Sequence, residues 1–181
     1  MPMQLPPDLR PALSPLFEAL PFERSMATLV TEPGTAANHA NAATIVESLA
    51  HQPDFAGRPD LLAGLYLYLD DLDTAHGHAQ NDATPTGSFW HAIVHRREGD
   101  FDNARYWYAK AAHHPAMSHI DLVGGGAGSG TDVAAYDPDA FVAQVRHAHE
   151  ADDHNGTTPA LMSTQRKEWK ALFEWCAGRR G

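Results

Sequence analysis

The chain has 181 residues, of which 43% are hydrophobic and 20% charged, a balance typical of one globular domain rather than of a disordered chain. Its net charge of −10 with histidine neutral opposes polyanions, so nucleic acid is not an expected partner. A single cysteine, Cys176, excludes an internal disulfide, and no stretch reaches the roughly 18 apolar residues of a membrane span. We therefore expect a soluble, cytoplasmic protein with no membrane partner.

The N-terminal part of the chain, residues 1–35, is rich in proline. A helix is predicted over residues 8–20, because four large apolar side chains recur there at helical spacing. Two prolines within that stretch weaken this prediction. A second helix is predicted over residues 36–51, which contain few helix breakers.

The middle of the chain contains an internal repeat with an offset of 29 residues, as from Leu62 to His91. The same shift places Asp71 on Asp100, so that each copy reads as a helix, a tight acidic turn and a second helix. A helical hairpin repeated about every 30 residues is the signature of a tetratricopeptide-like array. The repeat also favours a helix over residues 65–69, whose local alternation would equally suit a strand.

These patterns predict an all-α fold, in which tetratricopeptide-like helical hairpins pack with flanking N- and C-terminal helices. We expect a single helical domain over residues 1–181. After the proline-rich segment come two hairpin repeats, a glycine-rich linker and C-terminal helices, over residues 60–116, 118–137 and 138–178. The last helix is predicted over residues 163–177 from its apolar stripe, on which Cys176 is a small buried residue.

The strongest candidate site lies on the first helix of the second repeat. His91 and His95 are four residues apart and Glu98 follows, so all three share one stripe of the helix. Two imidazoles at this spacing can bind one metal ion, but the zinc-peptidase motif needs a glutamate where this chain has Ala92, which excludes that class. We predict His91 and His95 as ligands of a divalent transition metal. In an enzyme His91, His95 and Glu98 would be catalytic, with a histidine as general acid or base.

The repeat alignment places both histidines at inward positions, where unpaired polar groups are costly, so they must have partners or line a cavity. Arginines beside histidines suit a small acidic ligand, a carboxylate or phosphate. The predicted ligand-binding residues are Trp90, Arg96, Arg97, His76 and Tyr106. A purely structural explanation stays open, in which the histidines are hydrogen-bonded and the arginines form ion pairs.

The other histidines have plainer explanations. His76 and His78 are two residues apart, so only one of them can face the stripe of His91, and one buried and one solvated ring are expected. His113 and His114 end a helix, where the helix dipole favours a cation, and are predicted to cap it.

The segment from Thr86 to Tyr108 resembles a family of uncharacterised bacterial and fungal proteins. Their stretch has the form Pro-Thr-Gly-x-Tyr/Phe-Trp-His-Ala-Ile-x-His-Arg-Arg-Glu, followed here by Gly-Asp. The resemblance extends to residues 137–142 and 168–176, and so covers most of residues 60–178. It implies the helical fold and a bacterial origin, and it directs attention to residues 91–98, but it implies no reaction.

Two functions from different classes follow from these observations. The first is binding of a small molecule or metal through the histidine, arginine and glutamate side chains of one helix, which leaves open whether the protein is an enzyme. The second is a tetratricopeptide-like module that binds a peptide partner in its groove. Two hairpins are few for a long groove, so the first function is favoured.

Overall fold

The computed structural model describes residues 3–31, 39–120, 135–151 and 158–179. All regular structure within these ranges is helical, which confirms the predicted all-α class. The helices are α1 (Arg10–Ala19), α2 (Ala40–Ala50), α3 (Pro59–Tyr68), α4 (Leu72–Gln80), α5 (Pro85–Arg97), α6 (Phe101–Ala111), α7 (Pro138–Glu150) and α8 (Thr158–Gly178), with 3₁₀ helices at Phe22–Arg24 and Pro115–His119. Among the described residues, none of these helices combines the length and the apolar character that a bilayer span requires.

Most helices lie close to their predicted positions. Helix α1 accommodates Pro15 in its interior, and the predicted start of α2 at residues 36–38 falls outside the described residues. Helix α8 begins five residues earlier than predicted, at Thr158, with Pro159 in its first turn. A proline is tolerated there because its missing N–H would have no partner within the helix. The glycine run of the predicted linker, residues 124–130, also lies outside the described residues.

Helices α3 and α4 form one hairpin, α5 and α6 form the next, and α4 packs against α5. The turns of the two hairpins are alike. Each has one residue in the left-handed backbone region, Asp70 with φ of 63° and Gly99 with φ of 80°. The next residue, Asp71 or Asp100, caps the following helix by accepting the backbone N–H of the third residue after it. Asp70 in the first copy thus adopts the left-handed conformation that glycine adopts most readily, and the second copy has a glycine, Gly99, at the equivalent place.

Helix α5 lies at the centre of the fold, and every residue from Thr86 to Arg97 is buried. Helices α3, α5 and α8 pack closely at Gly64. This residue of α3 contacts the rings of Trp90 on α5 and Phe173 on α8. A Cβ at Gly64 would lie 2.7 Å from Phe173 Cδ2 and 3.0 Å from Trp90 Cζ2. The indole of Trp169 donates a hydrogen bond to the Gly64 carbonyl at 2.8 Å. This packing fixes α5 and so positions the polar residues along it.

Candidate metal centre

Three histidines converge between the two hairpins. His76 comes from α4, and His91 and His95 come from α5. One ring nitrogen of each lies within 4.8 Å of the others, and the Nε2 atoms of His76 and His91 are 2.6 Å apart. We call these three residues the histidine cluster. It contains both predicted metal ligands, His91 and His95, together with His76, which was predicted to bind a ligand.

The local helical geometry explains the cluster. His91 and His95 lie one turn apart on α5, and their rings stack with a centroid distance of 4.7 Å. Helix α4 packs beside α5 and turns His76 toward both rings, at 4.5 Å and 4.8 Å. His78 points elsewhere and stacks on Tyr66 at 5.4 Å. Only one histidine of α4 therefore joins the cluster, as the spacing predicted, but both rings are half-buried, so the expectation of one buried and one solvated ring is wrong.

Glu98, directly after α5, lies on the outer side of the cluster. Its Oε2 is 3.1 Å from Nδ1 of His95, and its Oε1 is 3.6 Å from Nδ1 of His76. The hydrogen bond to His95 is the main reason why the pKa of Glu98 is lowered, so the side chain is a carboxylate at neutral pH. The two carboxylate oxygens thus face histidines from different helices.

Burial decides the charge of the central ring. His91 is 4% exposed and His95 6% exposed, whereas the side chains of His76 and Glu98 are 30% and 28% exposed. Burial, followed by the neighbouring His76 and His95, lowers the pKa of His91 to about 4. His91 is therefore a neutral imidazole at neutral pH, with a lone pair available to a metal ion. The exposed edge of the site is formed by His76 and Glu98.

No family model, curated protein or solved structure matches this chain.

Three residues of α6, Asn103, Trp107 and Lys110, complete the surroundings of the cluster, and none of them was predicted as part of the site. Trp107 stacks on His91 with a centroid distance of 4.1 Å, and the ammonium of Lys110 lies 4.6 Å from the Trp107 ring centroid. Asn103 Nδ2 lies 3.2 Å from Nε2 and 3.5 Å from Nδ1 of His95. A donor directed at one ring nitrogen would be far from the other, so the amide nitrogen of Asn103 lies over the ring, in contact with both of its nitrogens.

Arg96, predicted to bind a ligand, lies away from the histidine cluster in a fully buried polar network. Its guanidinium donates to Glu168 at 2.5 Å and to Gln165 at 2.8 Å. Glu168 also accepts hydrogen bonds from the hydroxyls of Tyr108 and Tyr136. The arginine is therefore satisfied by α8 and its surroundings.

Arg97 is likewise fully buried and paired. It donates to Asp70 at 2.5 Å, to the Thr28 carbonyl at 3.2 Å and to the Thr31 hydroxyl at 3.1 Å. Of the two aromatic residues predicted at the site, Trp90 is fully buried in the core and Tyr106 is 53% exposed. The structure does not bring these three residues into the histidine cluster.

His114 differs from its predicted role at the C-terminus of α6. It is 4% exposed, lies 3.0 Å from the Thr86 hydroxyl through Nε2, and accepts the Ala116 N–H through Nδ1. Its ring is also 5.5 Å from that of Phe89. Burial, followed by the charge of Arg179, lowers its pKa to about 4. The residue therefore caps the 3₁₀ helix Pro115–His119 as a neutral imidazole.

An open cavity of about 930 Å³ is lined by α6, the 3₁₀ helix Pro115–His119 and residues 135–139. Tyr108, Tyr136 and His114 contribute to its wall, while none of the three cluster histidines does. At its rim Arg105 forms an ion pair with Asp139 at 2.8 Å. The cavity and the histidine cluster are thus separate features.

Proposed function

We propose that the protein binds a divalent transition-metal ion through His76, His91 and His95. The observation that carries the proposal is the approach of three imidazole nitrogens, from two helices, to within 4.8 Å of one another. In a tetrahedral site with metal–nitrogen bonds of ordinary length, ligand nitrogens are about 3.3 Å apart. The closest pair in the cluster is 2.6 Å apart and all three nitrogens lie within 4.8 Å of one another, so small ring rotations would bring them around one ion.

The donor set favours particular metals and a particular chemistry. Three neutral imidazoles suit zinc, copper, nickel, cobalt or iron rather than magnesium or calcium, which prefer oxygen. Three protein ligands leave a tetrahedral ion one position for water or substrate, as in catalytic rather than structural zinc sites. The exposed edge at His76 and Glu98 gives that position access to solvent.

The alternative of a small acidic ligand held by arginines has less support. Arg96 and Arg97 are fully buried, and each already has a carboxylate partner, Glu168 or Asp70. Neither guanidinium faces the histidine cluster. An acidic molecule would therefore bind here through the metal ion and not through these arginines.

Elemental analysis of untagged protein, before and after chelation and reloading with zinc, cobalt, nickel or copper, tests the proposal. We expect about one equivalent of metal in the wild type, and its loss in the double variant His91→Ala/His95→Ala and in His76→Ala. His78→Ala is the matched control, because His78 also lies on α4 but outside the cluster. This variant should keep the metal. Wild-type protein that takes up none of these ions, or folded variants that keep the metal, would contradict the proposal.

A further inference from the structure

We infer that Glu98 is the positioning residue of this centre, an outer carboxylate that orients His95 and His76 without binding the ion itself. The inference rests on the proposed metal function for its effect on affinity. Its effect on the histidine rings, by contrast, can be measured in metal-free protein.

The position of the carboxylate carries the argument. Both of its oxygens face Nδ1 atoms, at 3.1 Å on His95 and 3.6 Å on His76. The opposite nitrogen of His76, Nε2, is turned to His91 at 2.6 Å. Glu98 therefore lies behind the His76 ring, on the side away from its contact with His91, and it occupies the Nδ1 side of His95.

This placement selects the tautomer of each ring. An ionised carboxylate only accepts hydrogen bonds, so it stabilises the form of imidazole that carries its proton on Nδ1. The lone pair is then on Nε2, which is the nitrogen available to an ion within the cluster. Carboxylates that orient metal-bound histidines in this way typically change metal affinity by about 10- to 100-fold.

The two distances predict a graded effect. The contact with His95 is within hydrogen-bonding range, whereas that with His76 is longer and is an ion-pair distance. Loss of Glu98 should therefore change the tautomer of His95 more than that of His76. His76 is also the ligand supplied by the other hairpin, so the same carboxylate links α4 to the end of α5.

Other groups around His95 supply the controls. The carboxylate of Asp100 is 4.0 Å from Nδ1 of His95 and is the second acidic neighbour. Asp100 also caps α6 by accepting the Asn103 N–H. Asp100→Asn removes its charge while keeping a good capping residue. This variant separates a general loss of negative charge from the specific contact of Glu98.

The experiment compares wild type, Glu98→Ala, Glu98→Gln and Asp100→Asn. Nitrogen-15 NMR of the imidazole rings in chelator-treated protein gives the tautomers, competition with a chelator gives the zinc affinity, and the visible spectrum of the cobalt form gives the ligand number. In wild type and Asp100→Asn we expect the Nδ1–H form of His95. Glu98→Ala should lose that preference and bind zinc about 10- to 100-fold more weakly, while its cobalt spectrum stays unchanged. Glu98→Gln should give intermediate values.

Two results would overturn the inference. One is a Glu98→Ala variant with wild-type tautomers and wild-type zinc affinity. The other is a cobalt spectrum that shows the loss of one ligand in this variant, since Glu98 would then bind the ion directly. If wild type binds no metal but His95 changes tautomer in Glu98→Ala, the metal proposal fails while the orienting role of Glu98 stands.

Discussion

Asp70 and Arg97 form a buried ion pair, with 2.5 Å between carboxylate and guanidinium, at the turn that ends α3. Asp70 makes this contact from a left-handed backbone conformation with φ of 63°, which costs a residue other than glycine about 1–2 kcal/mol. Arg97 also binds the Thr28 carbonyl and the Thr31 hydroxyl. The pair therefore joins the N-terminal segment to both hairpins, and its electrostatic gain offsets a strained turn.

Substitution of Asp70 separates these two contributions. Asp70→Ala should lower the free energy of unfolding by about 3–5 kcal/mol, because it leaves the Arg97 charge buried without its partner. Asp70→Gly loses the same pair but relieves the backbone, and should be about 1 kcal/mol more stable than the alanine variant. Denaturant unfolding measures both values. Equal stabilities of the two variants would show that the turn is not strained.

The buried network of Arg96 and Glu168 predicts strong coupling. Arg96→Met or Glu168→Leu alone should cost about 3–5 kcal/mol, since each leaves one charge unpaired in the core. The double variant should recover part of this loss, although the hydroxyls of Tyr108 and Tyr136 then lack their acceptor. A double-mutant cycle in denaturant measures the coupling. Additive losses would mean that the two charges do not stabilise each other.

Metal binding should stabilise the fold, because its ligands come from both hairpins. At a free metal concentration of 100 times Kd, the expected gain is about 2.7 kcal/mol, or a rise in Tm of about 5–10 °C for a chain of this size. Thermal unfolding with and without a chelator measures it. His76→Ala, which removes the ligand on α4, should abolish the rise, whereas His78→Ala should keep it. A rise that persists in His76→Ala would place the ion elsewhere.

Stability without metal should decrease in mild acid. The pKa of His114 is about 4 in the folded protein and about 6.5 in an unfolded chain, so the unfolded state binds more protons between these values. The free energy of unfolding should thus be highest above pH 6.5 and fall as the pH is lowered toward 4. Because a pKa difference of one corresponds to about 1.4 kcal/mol, His114 should contribute roughly 2–3 kcal/mol of this loss.

Denaturant unfolding at several pH values with a chelator present measures this slope. His114→Gln should flatten it, because glutamine does not titrate. Some dependence should persist, since burial also lowers the pKa of His91 to about 4. An identical slope in the variant would show that His114 does not resist protonation.

Local patterns were enough to predict the helices and part of the site. The spacing of His91 and His95 defines one stripe of α5 whatever surrounds it, and the hairpin arrangement placed one histidine of α4 beside it. Trp107 was missed because the rotation of α6 against α5 depends on side-chain packing across the interface, which no local pattern encodes. The kinship with tetratricopeptide repeats remains a prediction.

The partners of the two buried arginines could not be predicted from the sequence. The sequence required that Arg96 and Arg97 be paired if buried, and both are. Their carboxylates, Glu168 and Asp70, are 72 and 27 residues away along the chain. Contacts at such separations are decided by the tertiary arrangement, so the sequence predicted the need for partners and not their identity.

The contact between Trp107 and His91, at 4.1 Å between ring centroids, gives the protein an internal optical probe. A paramagnetic or coloured ion bound close to an indole quenches its fluorescence, so copper or cobalt in the cluster would quench the emission of Trp107. Zinc has a filled d shell and would not quench this emission. The chain has four tryptophans, so the part of the intrinsic fluorescence that comes from Trp107 can distinguish a quenching ion such as copper or cobalt from zinc in protein that carries no label.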